Sequence, residues 1–113
     1  MQVLVIVAAL PKTPQARHIA KQLTRSATAP GAHYDEARSA ESRADFVHKV
    51  KIACKEMRES HYWLRLIQRA RLLSKLDVSP TIDEARQLAA LLTASANTAS
   101  HNQTKGPKRK TAQ

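Results

Sequence analysis

The stretch RADFVHKVKIACKEMRESHYWLRLIQRARLLSKL, residues 43 to 76, decides the fold, because it runs from Arg43 to Leu76 without a proline or a glycine. Stepping about 100° per residue places Phe46, Val50, Ala53, Met57, Leu64, Gln68 and Arg71 on one side, with Cys54 and His61 at its margin. A long run with one such face predicts an amphipathic helix that buries it. Ser42 or Ser39 suits the cap, and Asp45 suits the first turn, where the helix dipole favours an acid.

Working outward, punctuation separates three more segments. The apolar start up to Leu10 is stopped by Pro11, whose ring disfavours helix at the residue before it. A second segment runs from about Thr13 to about Arg38. Thr13 followed by Pro14 is a helix-starting pair, and Pro30 with Gly31 predicts a bend or a short break. A fourth opens at Thr81, where Thr81 and Glu84 have the spacing of a capping box, and Ile82, Ala85, Leu88, Ala89, Leu92, Ala96 and Ala99 then recur at helical intervals to about Ser100. From Asn102 to Gln113 only Ala112 is apolar, which predicts a disordered basic tail. The expected architecture is all-α: an antiparallel four-helix bundle over residues 1–101 with a short first helix, followed by the tail over 102–113.

Composition agrees. Two glycines, few aromatic or β-branched residues and many Ala, Leu, Lys, Arg and Gln favour helices over strands in this 113-residue chain. The Val3 to Leu10 run is too short to span a bilayer and lacks the flanks of a secretion signal. Cys54 is the lone cysteine, so an internal disulfide is excluded and a reducing, cytoplasmic setting fits best.

The formal net charge is +10, which directs attention to polyanions, nucleic acid first and an acidic protein second. The excess is concentrated. Residues 38 to 75 hold ten Lys and Arg against four acids, and the tail adds Lys105, Lys108, Arg109 and Lys110 with no acid. Within the long helix, Lys51, Lys55, Arg58, Arg65 and Arg69 form one stripe away from the core side, with Tyr62 in its gap. Such a row can track a phosphate backbone while Tyr62 stacks on a base. The same row also suits an ordinary solvated face, and the tail an ordinary solubilising terminus. Ile52, Glu59, Trp63 and Leu66 form a second seam between core and stripe, which fits either a self-association surface or cover by another helix of the bundle.

Catalytic chemistry finds no footing. The five histidines and one thiol show no metal-binding spacing, and there is no phosphate-cradling glycine loop. Cys54 and His61 lie about 10 Å apart along the helix, too far for a nucleophile and its base. Asp35, Glu36, Glu41 and Asp45 fit caps and dipole partners better than acid–base work. A non-enzymatic binding protein without metal or cofactor is expected.

The segment QLTRSATAPGAHYDEA, residues 22 to 37, resembles a signature of the four-helix-bundle proteins encoded in intervening sequences of large-subunit ribosomal RNA genes. Asp45 with Phe46, and the KExxExxYWL pattern from Lys55 to Leu64, resemble that family's second block. The resemblance spans about Val3 to His101. It implies an antiparallel four-helix bundle that assembles as a homopentamer and has no assigned activity. The Tyr62 to Arg65 stretch is also similar to the accessory variability protein of diversity-generating retroelements, which implies nucleic acid and a reverse transcriptase as partners. His33 and Asp35 depart from the family's usual Asn and Ala, and the first helix lacks the family's upstream turns. The resulting reading is an oligomeric bundle presenting its stripe and tail to RNA or DNA. A scaffold or protein-interaction ring is the alternative.

Overall fold

The computed structural model describes residues 1–104. Four helices follow in order: α1 (Val3–Ala9), α2 (Pro14–Arg38), α3 (Arg43–Arg69) and α4 (Ser79–Thr104). Together they form an elongated bundle of 58 × 20 × 17 Å. None of the described helices is long and apolar enough to cross a membrane.

The local signals at the first three helix starts and stops work as their chemistry demands. Leu10 is extended ahead of Pro11, which ends α1, and the Thr13 hydroxyl accepts the Ala16 amide at 3.2 Å to open α2. Ser42 accepts the Asp45 amide at 3.0 Å to open α3. The pairing is antiparallel, since residue numbers rise on one helix as they fall on the next. Arg25 of α2 meets Glu59 of α3 and Glu36 meets Lys49, while Cys54 of α3 meets Thr93 of α4 and Gln68 meets Ser79.

α3 is the shared element, packed by α2 on one flank and α4 on the other, while α1 packs on α2. At the α1 end, Val3, Ile6 and Leu10 join Ile19, Leu23, Met57, Leu64, Ile67, Val78 and Ala85 in one buried cluster. At the far end the core narrows to Ala37, Val50 and Ala96 with Phe46 and Leu92 against them. Because α3 has two neighbours, its buried sector is wider than one amphipathic stripe. Val47, Cys54, Ser60 and Ile67 are buried alongside Val50, Ala53, Met57 and Leu64, whereas Phe46 is only half-buried and Gln68 and Arg71 are exposed. The buried Ser26 and Ser60 hydroxyls meet at 2.8 Å, so the polar contact at the α2–α3 seam is satisfied from both sides.

Four expectations are corrected. α2 passes through Pro30 and Gly31 without a break. The Pro30 ring is buried and gains packing there, and the hydroxyls of Thr24, Ser26 and Thr28 bond back to carbonyls in the turns just before it. α3 ends at Arg69 rather than near Leu76. Leu72 N–H reaches the Ile67 carbonyl (3.2 Å) and Arg71 N–H the Gln68 carbonyl (3.1 Å), the paired bonds of a Schellman cap, with Arg71 at φ 53°. Leu72 then folds back onto the core.

α4 starts at Ser79, two residues before Thr81, with Pro80 in its first turn, where the lost N–H has no helical partner to lose. The Thr81–Glu84 capping box therefore does not form. Thr81 is buried, Glu84 faces the Met1 amino group at 3.1 Å, and Asp77 takes the Ser79 amide at 3.0 Å. Bonds from the Ser79 backbone and hydroxyl hold the Asp77 carboxyl below its usual range. Finally, α4 continues to Thr104, so residues 102–104 are helical rather than tail. Residues 105–113, with Lys105, Lys108, Arg109 and Lys110, lie outside the described residues.

Arg71 occupies the left-handed region, where a side chain costs about 1–2 kcal/mol and glycine is free of that strain. Arg71→Gly is expected to raise unfolding stability by about 0.5–1 kcal/mol after the extra chain entropy of glycine is subtracted. Urea denaturation followed by helical circular dichroism checks it, and a loss of stability would contradict this account of the cap.

Candidate nucleic-acid interface

Every described member of the stripe is exposed: Lys51, Lys55, Arg58, Tyr62, Arg65 and Arg69. The helical spacing that buries Val50, Ala53, Met57 and Leu64 turns these side chains outward, and α4 forms the bank beside them. Lys51, Lys55 and Arg58 border a concavity with Cys54, Thr93, Ala96 and Asn97. A second one has Arg58 and His61 on one side and Arg86, Thr93 and Asn97 of α4 on the other. His61, Tyr62, Arg65 and Arg69 line a third with Leu66. Shared residues join the three into one basic trough along α3, bordered by α4 at the first two and formed by α3 residues at the third. From Lys51 to Arg69 it spans about 27 Å of helical rise.

Two arrangements sharpen its charge. The Arg58 guanidinium donates to the Thr93 hydroxyl at 3.1 Å, which fixes it across the α3–α4 boundary. Thr93 in turn donates to the Ala89 carbonyl at 2.9 Å and meets the Cys54 thiol at 3.0 Å. Meanwhile Glu56 and Glu59, the acids between Lys51 and Arg69, are held on the opposite flank. Arg25 of α2 bonds Glu56 at 2.8 Å and also pairs with Glu59, so both carboxylates face α2 instead of the trough. Burial, and then the Arg65 and Arg86 charges, push the His61 imidazole below its ordinary value.

Ile52, Glu59, Trp63 and Leu66 are all half-buried. Trp63 and Leu66 rest against the core, and α2 covers part of the indole through an edge-on contact with His18, with ring centroids 5.9 Å apart. The indole N–H donates to Glu59 at 3.1 Å, and Tyr62 stands edge-on to Trp63 at 4.9 Å. Tyr62 itself stays 58% exposed, leaving ring surface available to a base. A larger concavity, about 870 Å³, lies away from this trough, where Phe46 and the α2–α3 turn meet Leu91 and Ala99 of α4. Its charged lining, Arg38, Glu41 and Arg43, is of mixed sign.

Reading the stripe along α3 alone misses Arg86, Thr93 and Asn97, which come from α4, and gives His61 no role. Nothing local marks them. They enter through the register of α4 against α3.

The fold and surface define a class, an all-helical antiparallel bundle with one basic face. The chain belongs to the 23S rRNA-intervening sequence protein family, whose model it matches over residues 1–94. It is also similar to the crystal structure of a Bacteroides thetaiotaomicron protein of unknown function from the S23 ribosomal protein family. That likeness has 30% identity and a TM-score of 0.75, and covers 84% of this chain and 88% of that one. Among curated proteins no match is found.

The depressed His61 value has a consequence for stability. In the unfolded chain this imidazole takes its proton near 6.5, whereas in the folded protein it does so only at lower pH. The unfolded state therefore binds more protons in that window, and stability falls as pH drops through about 6.5 toward the lower folded value. His61→Gln is expected to flatten this part of the stability–pH profile, measured by urea denaturation across the window. An unchanged slope would contradict the assignment.

Proposed function

We propose that the protein is a non-enzymatic, self-associating bundle that binds single-stranded nucleic acid along the α3–α4 trough. Lys51, Lys55, Arg58, Arg65 and Arg69 contact backbone phosphates, and Tyr62 stacks on a base. One observation carries the reading: Lys51, Lys55, Arg58, Arg65 and Arg69 of α3 line a run of adjoining concavities, while Glu56 and Glu59 of the same stretch are paired off by Arg25 on the other flank. A solvated helix face has no need of that segregation, and a polyanion site does. Lys105, Lys108, Arg109 and Lys110 extend the positive charge in sequence, and a reverse transcriptase as a partner rests on the Tyr62 to Arg65 resemblance alone.

The half-buried seam at Trp63 and Leu66 favours a second reading, an oligomeric scaffold whose charge only steers an acidic protein. Both readings allow a ring, but only the first requires RNA affinity.

Binding of a labelled single-stranded RNA, followed by fluorescence anisotropy, is expected to weaken linearly in log–log salt, with a slope near 0.7 per phosphate contact. Charge reversal at Arg58 and Arg65 together is expected to make that slope shallower by about 1.4. Both side chains are exposed, so unfolding stability should stay within about 0.5 kcal/mol. Unaltered affinity and slope would remove the stripe from the site, and no binding at low salt would favour the scaffold.

A further inference from the structure

The middle concavity of the trough differs from its neighbours in receiving cations from two helices. It is an open cleft of about 480 Å³ between α3 and α4, lined by Arg58 and His61 from one and by Arg86, Thr93 and Asn97 from the other, over a floor of Ala89, Ala90 and Ala94. Small residues in the floor let the two helices carry their guanidinium groups to a common space. Arg58 is held by its bond to Thr93, and Arg86 by a 3.2 Å bond to Asp83, the acid on this side. Each of these bonds engages one of the five N–H donors of a guanidinium.

We infer that this cleft seats a backbone phosphate of the bound nucleic acid, gripped by Arg58 and Arg86 and by the His61 imidazole, with Thr93 and Asn97 as neutral polar neighbours. The assignment rests on the nucleic-acid reading and deepens it, because it moves the strand off the α3 stripe and into the groove between two helices. It also gives His61 a role. Lining the concavities beside that imidazole are Arg58, Tyr62, Arg65 and Arg69 of α3 and Arg86, Thr93 and Asn97 of α4, with Asp83 reached through its bond to Arg86. In the free protein burial, together with the Arg65 and Arg86 charges, disfavours the imidazolium. A phosphate in the cleft offsets the Arg65 and Arg86 fields and accepts a charge-assisted bond from the protonated ring. Binding therefore takes up a proton, and affinity rises as pH falls across the range from about 8 to about 5 in which histidine titrates.

The test compares the whole protein with Arg86→Gln, His61→Gln and, as a charge control on the exposed face of α2, Arg17→Gln. Single-stranded RNA affinity is measured against salt and pH, and the His61 ring is followed by proton NMR with and without the RNA. Arg86→Gln is expected to lose several-fold in affinity and about 0.7 of the salt slope, with Arg17→Gln near wild type. His61→Gln is expected to lose the gain at low pH, and the His61 titration to move upward in the complex. RNA binding by the wild type with Arg86→Gln no weaker than Arg17→Gln, or with an unmoved His61 titration, overturns the cleft while leaving the stripe in place. Absence of RNA binding overturns both. Inorganic phosphate raising the His61 titration as far as the RNA does, at matched ionic strength, would overturn the assignment to a nucleic-acid backbone in favour of a free anion.

Discussion

The packing of α3 between α2 and α4 is the constraint on which the rest of the molecule depends. A helix with two neighbours cannot be served by a single narrow apolar stripe, so α3 buries small and medium side chains over a broad sector. Ala53 and Cys54 sit side by side within it, Ser60 meets Ser26 of α2, and Leu64 and Ile67 carry the apolar weight toward α1. Small residues at these contacts let backbones approach, and their close fit leaves little freedom for α3 to rotate. Once that rotation is fixed, polar residues of α3 are sorted, with Glu56, Glu59 and Ser60 toward α2 and Lys51, Arg58 and His61 at the concavities shared with α4.

The electrostatic pattern follows. At the α2 margin, Glu56 and Glu59 meet Arg25, a pairing at the surface whose contribution to stability is small but whose effect on the field is clear. At the other margin the cations stand in a row. Lys51 with Lys55, and Arg65 with Arg69, are like charges four residues apart on one helix, an arrangement that costs a few tenths of a kcal/mol per pair. Folding alone gains nothing from it. The charge is tolerated because water and salt screen it, and a polyanion would exploit it.

Family membership fixes less than it first suggests. The match over residues 1–94 and the likeness to a related crystal structure agree on a helical bundle, and the solved relative is itself of unknown function. One bundle can carry unrelated activities, so function has to be argued from side chains on the surface. Here the informative ones are Arg58, tied to α4 through Thr93, and Trp63, whose indole is shared between the core, His18 and Glu59. The first belongs to the proposed nucleic-acid surface. The second marks a seam that is neither fully core nor fully surface.

Local chemistry made much of this protein legible from its sequence. The Pro11 stop, the Thr13 and Ser42 caps, the α4 apolar repeat and the outward stripe of α3 all depend on residues within a turn or two of one another, and all form as that chemistry requires. Tertiary structure decided the rest. It drew α3 to a close at Arg69, where Leu72 gains more by folding back onto the core than by continuing the helix. It buried the Pro30 ring inside an unbroken α2, widened the buried sector of α3 to include Val47 and Ser60, and set Arg86 opposite His61. The physical reason is common to all four. Periodicity tells which way a side chain points from its own helix axis, but the rotation and register of one helix against another are settled by the packing of whole surfaces.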